Sequence, residues 1–497
     1  MLRIYNTMTG HKEVFEPLAP DIVRMYVCGV TVYDYCHLGH ARSGLVFDVM
    51  RRYLEFCGFR VEFAKNFTDV DDKIINRARE LQVPWQTVTS TYIEAYCEDM
   101  ARLGVRPPTV EPKATEHMAD IIRLIGTLLR KGLAYQVDGD VYFQVEKFPA
   151  YGRLSKRKID AMQAGARVDV DERKRHPMDF ALWKVAKPGE PAWDSPWGPG
   201  RPGWHIECSA MSIRHLGETF DIHGGGADLI FPHHENEIAQ SSGATGREFA
   251  RYWAHNGFVQ INQEKMSKSL GNFFSVREIF EKASEQRGYS DQVTAEALRY
   301  FLLLTHYRSP LDFSDQGLQE AKRALDGFYG LFQRLEEQPD REQDGDPRIH
   351  DVVHRLEEAF RQAMDDDFNT PAAIAQFQTL RSKVNKSLEA GLSLKARAQA
   401  LHAFRHAGRV LELFQLPVKV WKFAPQVRAS QEVPSGELTE TMANAEFTEG
   451  EIERHIEERN EARKRKDFAM ADAIREALAA QGITIEDRPD GTSRWKR

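Results

Sequence analysis

Residues 22–30, IVRMYVCGV, form an apolar run rich in β-branched side chains, which predicts a buried strand. The loop TVYDYCHLGH separates it from ARSGLVFDVMRRYLEFCGF, whose apolar residues return at helical spacing and end at Gly58, placed as a C-cap. A second strand, VEFAKNF, runs into TDVDDKIINRARE, where Thr68 or Asp69 is the expected cap of another helix. This β-loop-α-β pattern predicts a parallel, Rossmann-like sheet.

Residues 111–202 break the rhythm with two helical stretches, a hairpin pattern around YQVDGDVYF and the Pro/Gly/Trp-rich PAWDSPWGPGRPG. Strand and helix patterning resumes in GWHIECSAMS and TFDIHGGGADLIF, so 111–202 reads as an insertion. From about 315 to 415 the spacing is almost wholly helical, broken at DDDFNTPAAIAQF, where Asn369 or Thr370 can cap a helix with Pro371 in its first turn. Residues 422–450, with Pro425, Pro434 and Gly436, lack periodicity and read as a linker. Beyond lie a helix pair around RNEARKRKDFAMADAIREALAAQGI and then ITIEDRPDGTSRWKR, whose Pro-Asp-Gly centre predicts a turn between two short strands. The expected architecture is α/β: a Rossmann-like parallel-sheet domain over 1–314 carrying the insertion, a helical bundle over 315–421, the linker, and a small α+β module over 451–497.

Composition narrows this picture. With 42% hydrophobic and 28% charged residues the chain sits in the ordinary soluble range. No stretch approaches the ~18 apolar residues of a membrane span, and the first residues have no signal-peptide pattern, so a cytoplasmic protein is expected. A net charge of −7 argues against a protein that coats nucleic acid generally. Local basic patches remain: Lys464 and Lys466 with neighbouring arginines, and Arg494, Lys496 and Arg497 around Trp495. Five cysteines, an odd number spread through the first half, fit free thiols or metal ligation better than a disulfide framework.

Four constellations can carry chemistry. In CHLGH, at 36–40, two histidines flank a glycine at a predicted helix N-terminus, which suits an anion; turn-forming and capping histidines are the plainer alternative. KMSKS, at 265–269, places two lysines three apart beside hydroxyls, either a mobile clamp for polyphosphate or solvated surface. In FPHHENEIAQ, His233 and Glu237 share a helical face, either as a surface hydrogen bond or as half of a metal site. Cys28 and Cys208 end elements of the same predicted sheet and would complete a set suited to zinc. HGGGADLIF permits close approach of a nucleotide, with Asp228 able to accept from ribose hydroxyls, or is an ordinary turn. Helix capping explains the carboxylates of TDVDDK more simply than magnesium does.

HLGH and KMSKS, in this order and about 225 residues apart, resemble the two signatures of class I aminoacyl-tRNA synthetases. YVCGVTVYDYCHLGHARS, NFTDVDDKII, GWHIECSAMS, DIHGGGADLIFPHHENEIAQS, KMSKSLGNFF and DDDFNTP narrow the likeness to the cysteinyl-tRNA synthetase family, over essentially the whole chain.

The resemblance implies a ligase that activates L-cysteine with ATP and magnesium and passes it to tRNA-Cys. His37 and His40 would stabilise the phosphates in the transition state, with Gly39 beside them. Lys265 and Lys268 would hold the pyrophosphate side, Lys268 also contacting ATP, and Asp228 would bind the ribose. Cys28, Cys208, His233 and Glu237 would be the zinc ligands, and Cys28, Gly29, Thr31 and Trp204 would face the amino acid. The loop region is expected at about 255–314, and the 451–497 module is expected to bind the anticodon. A monomer with no obligate protein partner is implied. After DDK the chain reads IIN, with Asn76 where some relatives carry lysine, so no side activity of that lysine is carried over. The alternatives are a cysteine ligase of the mycothiol pathway, which lacks the full C-terminal region, and a non-catalytic zinc- and nucleotide-binding homologue.

Overall fold

In the computed structural model, which describes residues 1–157, 172–261, 264–265, 274–339, 341–342, 344–345, 348–423 and 449–464 with short pieces between 471 and 496, the apolar runs build a parallel sheet. After an antiparallel hairpin of β1 (Arg3–Asn6) and β2 (His11–Val14) come β3 (Ile22–Thr31), α1 (Leu38–Phe56), β4 (Arg60–Thr68), α2 (Asp72–Leu81) and α3 (Trp85–Arg102). Between α3 and the next sheet strand lie α4 (Met118–Arg130) and an antiparallel sheet of β5 (Ala134–Val137), β6 (Asp140–Phe143), β7 (Phe180–Val185) and β8 (Gly200–Pro202). The β5–β6 turn uses Asp138 and Gly139, both at positive φ, as a two-residue hairpin connection demands. The chain then returns through α5 (Trp204–Leu216), β9 (Phe220–Gly226), α6 (Glu235–Thr245) and β10 (Ala250–Asn256). The four long strands align in the order β10, β9, β3, β4, all parallel.

Period-two alternation decides what each strand residue faces. Met25 and Val27 of β3, with Phe63 and Phe67 of β4, pack into the core shared with α1 and α3. Tyr26, Cys28 and Ala64 point the other way, into the core of α5, α4 and the insertion. A polar residue near the carboxyl end of either strand is thereby assigned to one side.

Short strands β11 (Val259–Ile261) and β12 (Glu264–Lys265), helices α7 (Val276–Arg287) and α8 (Asp291–Leu303), and β13 (Leu311–Phe313) follow. Four helices come next: α9 (Asp315–Glu337), α10 (Ile349–Asp365), α11 (Thr370–Ala390) and α12 (Leu394–Leu411). Asn369 caps α11, accepting from Ala372 N at 3.1 Å, with proline in the first turn. In the same segment Asp367 is fully buried and accepts from Tyr5 N (2.8 Å), Tyr307 OH (2.8 Å) and Arg308 Nε (2.7 Å), which ties β1 and the end of α8 to the bundle.

The expected cap at Thr68 or Asp69 is not the one used. Thr68 still pairs with Thr31 in the sheet, so α2 starts later and Asp71 caps it through Lys73 N at 2.9 Å. Asp69 instead accepts from Thr115, and Asp72 pairs with Arg201 and Lys184. Each carboxylate of TDVDDK thus has a structural partner.

The chain forms two compact units, Met1–Lys422 and Phe423–Arg497. In the second, α13 (Glu449–Lys464) and the antiparallel pair β14 (Thr484–Asp487) and β15 (Ser493–Lys496) surround a small core of Ile452, Ile456, Ile474, Leu478, Ile483 and Ile485, against which Trp495 packs. Of the predicted 422–450 linker, residues 449–450 belong to α13, while 424–448 and the side chains of Lys464, Lys466, Arg494, Lys496 and Arg497 lie outside the described residues.

Candidate active site and metal centre

A cleft of about 340 Å³ opens where the sheet strands end, the position at which open α/β sheets bind ligands. Its lining includes Cys28, Gly29, Thr31 and Trp204, the signature residues His37, Gly39 and His40, and Gly226, Asp228 and Asn256. Gly29 is required by the backbone, because a Cβ there would lie 1.5 Å from the Asn66 carbonyl oxygen. Trp204 is 39% exposed and covers the His233 ring at 4.4 Å, so it is a wall of the cleft rather than a core residue.

The two histidines of HLGH cap the helix that they begin. His37 is the N-cap of α1 and accepts from Gly39 N at its Nδ1 (3.0 Å), while His40 Nδ1 faces His37 N at 3.5 Å. The rings stack 3.7 Å apart. Accepting at Nδ1 puts the proton of each neutral ring on Nε2, which makes Nε2–H the donor. Burial pushes the His37 pKa down to about 4. Burial first, then His37, Lys65 and Lys73, hold His40 well below its ordinary value. Both rings therefore act near neutral pH as uncharged donors. Arg42, buried on the same helix, reaches the carbonyls of Gly257, Phe258, His306, Tyr307 and Ser309 and fixes α1 to the segments before β11 and β13.

On the opposite side of β3 the structure brings together Cys28, Cys208, His233 and Glu237, all buried, with one donor atom of each within 4.8 Å of the others. Cys28 Sγ lies 3.3 Å from His233 Nε2 and 3.1 Å from Glu237 Oε1, and His233 Nε2 lies 3.0 Å from Glu237 Oε1. His233 lies in a π-helical turn, Ile230–His234, and Glu237 sits in the first turn of α6, so the pair meets across that junction. Burial raises the Cys28 thiol, whereas at Cys208 the same desolvation is overcome by hydrogen bonds from Cys28 and His233, leaving it at about 6. Desolvation of His233 is likewise overcome, chiefly by Glu237, leaving it at about 10, and the Glu237 carboxyl is held well below its usual range by His223 and His233 despite burial. A second set, Cys28, His223, His234 and Glu237, overlaps the first.

Histidines that the pattern of the sequence did not single out surround this cluster. His205 Nδ1 lies 2.8 Å from His233 Nδ1, His223 Nε2 lies 2.9 Å from Glu237 Oε2, and His234 Nδ1 lies 2.8 Å from His255 Nε2, whose Nδ1 meets Thr7 at 2.8 Å. His223 pairs with Tyr26 in the sheet register, so alternation along β9 already set it on the Cys28 side. His234 and Glu235 are fully buried as well; Glu235 accepts from Ser155 N at 2.8 Å and anchors the insertion. Lys268 and the side chain of Lys265 lie outside the described residues.

Residues 14–323 match the family model described as the tRNA synthetases class I (C) catalytic domain, 359–415 the DALR domain, and 448–495 the cysteinyl-tRNA ligase anticodon binding domain. A cysteine–tRNA ligase from Syntrophotalea carbinolica is 53% identical, the match covering 100% of this chain and 99% of that protein. The chain belongs to the cysteine–tRNA ligase family. A cysteine–tRNA ligase from Geobacter metallireducens is 52% identical at the same coverage. Among solved structures, a Mycobacterium tuberculosis methionyl-tRNA synthetase complexed with methionyl-adenylate superposes with a TM-score of 0.56 at 16% identity, covering 79% of this chain and 93% of that one. The Thermus thermophilus arginyl-tRNA synthetase gives 0.52 at 13% identity over 81% and 83%. At such identity these neighbours carry the class I fold, which cysteine–tRNA ligases share. No helix of the described residues is long and apolar enough to cross a membrane.

The buried histidines set an acid limit. His37 at about 4 and His255 at about 3 stay neutral in the fold, whereas an unfolded histidine titrates near ~6.5. Between ~6.5 and these values the unfolded chain takes up protons that the native one refuses, so stability falls as pH falls through that window. Thermal melting followed from pH 7 to 4.5 is expected to show a falling Tm, with a shallower slope in His255→Asn.

Proposed function

We propose that this chain activates L-cysteine with ATP to cysteinyl-adenylate and pyrophosphate, and then transfers the cysteinyl group to the terminal adenosine of tRNA-Cys, with zinc selecting the substrate thiolate and magnesium accompanying ATP. One observation carries the reading: four buried donors, Cys28, Cys208, His233 and Glu237, converge, and one of them, Cys28, also lines the cleft that the HLGH helix borders.

Two sulfurs, an imidazole and a carboxylate suit zinc. The overlapping set has one sulfur, and its histidines are engaged elsewhere, His223 on the far oxygen of Glu237 and His234 on His255. Zinc, when bound, favours a soft thiolate over an alcohol that stays protonated, a distinction that a pocket of fixed size makes poorly between near-isosteres, at ~1–3 kcal/mol. His205 and His223 orient His233 and Glu237, as outer partners of metal ligands do. Gly29, Thr31 and Trp204 wall the amino-acid end.

Adenylate formation is an in-line displacement at phosphorus, so the protein's task is placement and charge stabilisation. The cysteine carboxylate attacks the α-phosphorus. The Nε2–H groups of His37 and His40 donate to the phosphate oxygens, Asp228 accepts from the ribose, and Lys265 and Lys268 hold the departing pyrophosphate. A hydroxyl of the terminal adenosine then attacks the adenylate carbonyl, releasing AMP.

Cysteine-dependent ATP–pyrophosphate exchange by the zinc-loaded protein tests the reading; no exchange with zinc intact overturns it. The 423–497 unit is assigned to the anticodon. Truncation after Lys422 is expected to lower tRNA charging about 100-fold or more, since each stacked or paired base contributes ~1–3 kcal/mol, while exchange stays within about 2-fold. Equal loss of both activities contradicts this division.

A further inference from the structure

The signature histidines are neutral, so the fixed positive charge of the phosphate region must come from elsewhere. Among the described residues bordering the cleft, the ammonium groups are those of Lys65 and Lys73. Lys73 stands over the Tyr33 ring at 5.4 Å near the start of α2. Lys65 is of a different kind: it is only 9% exposed, and its Nζ donates to Tyr96 OH at 2.6 Å. No carboxylate among the described residues forms an ion pair with it. A buried ammonium whose protein partner is a neutral phenol is costly to desolvate and is stabilised by an anion.

Its position says which anion. Alternation along β4 turns Asn66 toward Cys208 and turns Lys65 the other way, between α1 and α3, beside Cys36 and the HLGH helix. The amine is therefore on the histidine side of the sheet, away from the metal cluster that takes the sulfur. Gly44, one turn after His40, leaves the room: a Cβ there would come within 4.0 Å of Lys65 Nζ and 2.7 Å of the Met100 sulfur.

We propose that Lys65 is a phosphate-binding residue of the activation step, a fixed cation that, with Lys73 on the border of the same cleft, receives the pyrophosphate portion of ATP. The assignment rests on the cysteine-activation reading and adds a residue to it. Burial lowers the Lys65 pKa to about 8, with Cys36 and Glu111 opposing, so the amine is close to losing its proton when the site is empty and holds it when an anion arrives.

Pyrophosphate itself is the probe. Titrated calorimetrically into the full-length zinc-loaded protein, it is expected to bind about 10–100-fold more weakly to Lys65→Met, the scale of one charge-assisted hydrogen bond, with Lys65→Arg recovering most of the affinity. In ATP–pyrophosphate exchange the KM for ATP rises by the same order, while bound zinc and the KM for cysteine stay as in wild type. Unchanged pyrophosphate affinity in a folded Lys65→Met, with only a lowered Tm that Tyr96→Phe reproduces, makes the residue a strut between β4 and α3 and overturns the proposal. Normal exchange with slowed transfer to tRNA assigns the lysine to a tRNA phosphodiester and also overturns it. If Lys65→Met does not fold, the wild-type profile decides: kcat/KM for ATP at saturating cysteine falls through a pKa near 8, and Lys65→Arg removes that fall; a profile identical in Lys65→Arg refutes the role. Because pyrophosphate binding is read without catalysis, failure of exchange in wild type is a failure of the activation reading and leaves this test intact.

Discussion

Cys208→Ser is expected to lose bound zinc and to lower kcat/KM for cysteine at least ~100-fold, with the KM for ATP little changed. Outer partners of metal ligands cost ~10–100-fold when removed, and Cys208 is a proposed ligand, so this range is a floor. Serine is close in size and keeps α5 packed, but its hydroxyl stays protonated where the thiol of Cys208 ionises at about 6. Since Cys208 approaches Cys28, His233 and Asn66, replacing it removes one sulfur without opening a void large enough to unfold the sheet. Metal analysis and cysteine-dependent exchange measure the two effects together. Unchanged zinc content and unchanged KM for cysteine would remove Cys208 from the site.

His40→Asn is expected to lower kcat for adenylate formation by about 10²–10³, the loss that follows removal of one preorganised donor to a developing oxyanion. The choice of variant matters because His40 has two jobs. Its Nδ1 faces the backbone N–H of His37 in the reciprocal cap of α1, and removing a cap costs ~0.5–2 kcal/mol of stability. Asparagine retains an acceptor for the cap but places no donor where Nε2–H stood. Comparing His40→Asn with His40→Ala therefore separates catalysis from capping: both lose kcat, and His40→Ala also loses Tm. If kcat follows Tm through the two variants, the histidine is only a cap. The low pKa values of this pair add a sign: its donors persist from pH 8 down past 5, so exchange has no histidine inflection from His37 or His40 near ~6.5.

The parallel sheet could be read in IVRMYVCGV and VEFAKNF because a strand buried on both faces needs an unbroken apolar run, and α1 because its apolar residues recur at helical spacing. The helical spacing of 315–415 and its break before α11 were legible too, with the cap left between Asn369 and Thr370 until the structure showed Asn369. In the candidate metal site, His233 and Glu237 could be paired from spacing, but Cys28 and Cys208 are joined to them only by the crossing of β3 and α5, which local pattern does not encode. The histidine chain was hidden for the same reason: His205, His223 and His255 come from three elements and meet only in the fold. The burial of Glu235 is not encoded locally either, because the insertion segment that covers it comes from 80 residues earlier in the chain. Lys65 was masked by its surroundings, a cation between Phe63 and Phe67 in a strand that reads as core. The misplaced cap of α2 has a smaller cause: the sheet holds Thr68, and the helix must wait for Asp71.

Aminoacylation by the zinc-loaded full-length protein, with tRNA-Cys and an amino sugar offered in parallel as acceptors and cysteine or serine as the amino acid, tests the central claim most directly. Cysteine is expected on tRNA-Cys, with no acylation of the sugar and no detectable serine on the tRNA. Transfer of cysteine to the amino sugar in preference to tRNA, or comparable charging with serine while zinc is bound, would contradict it.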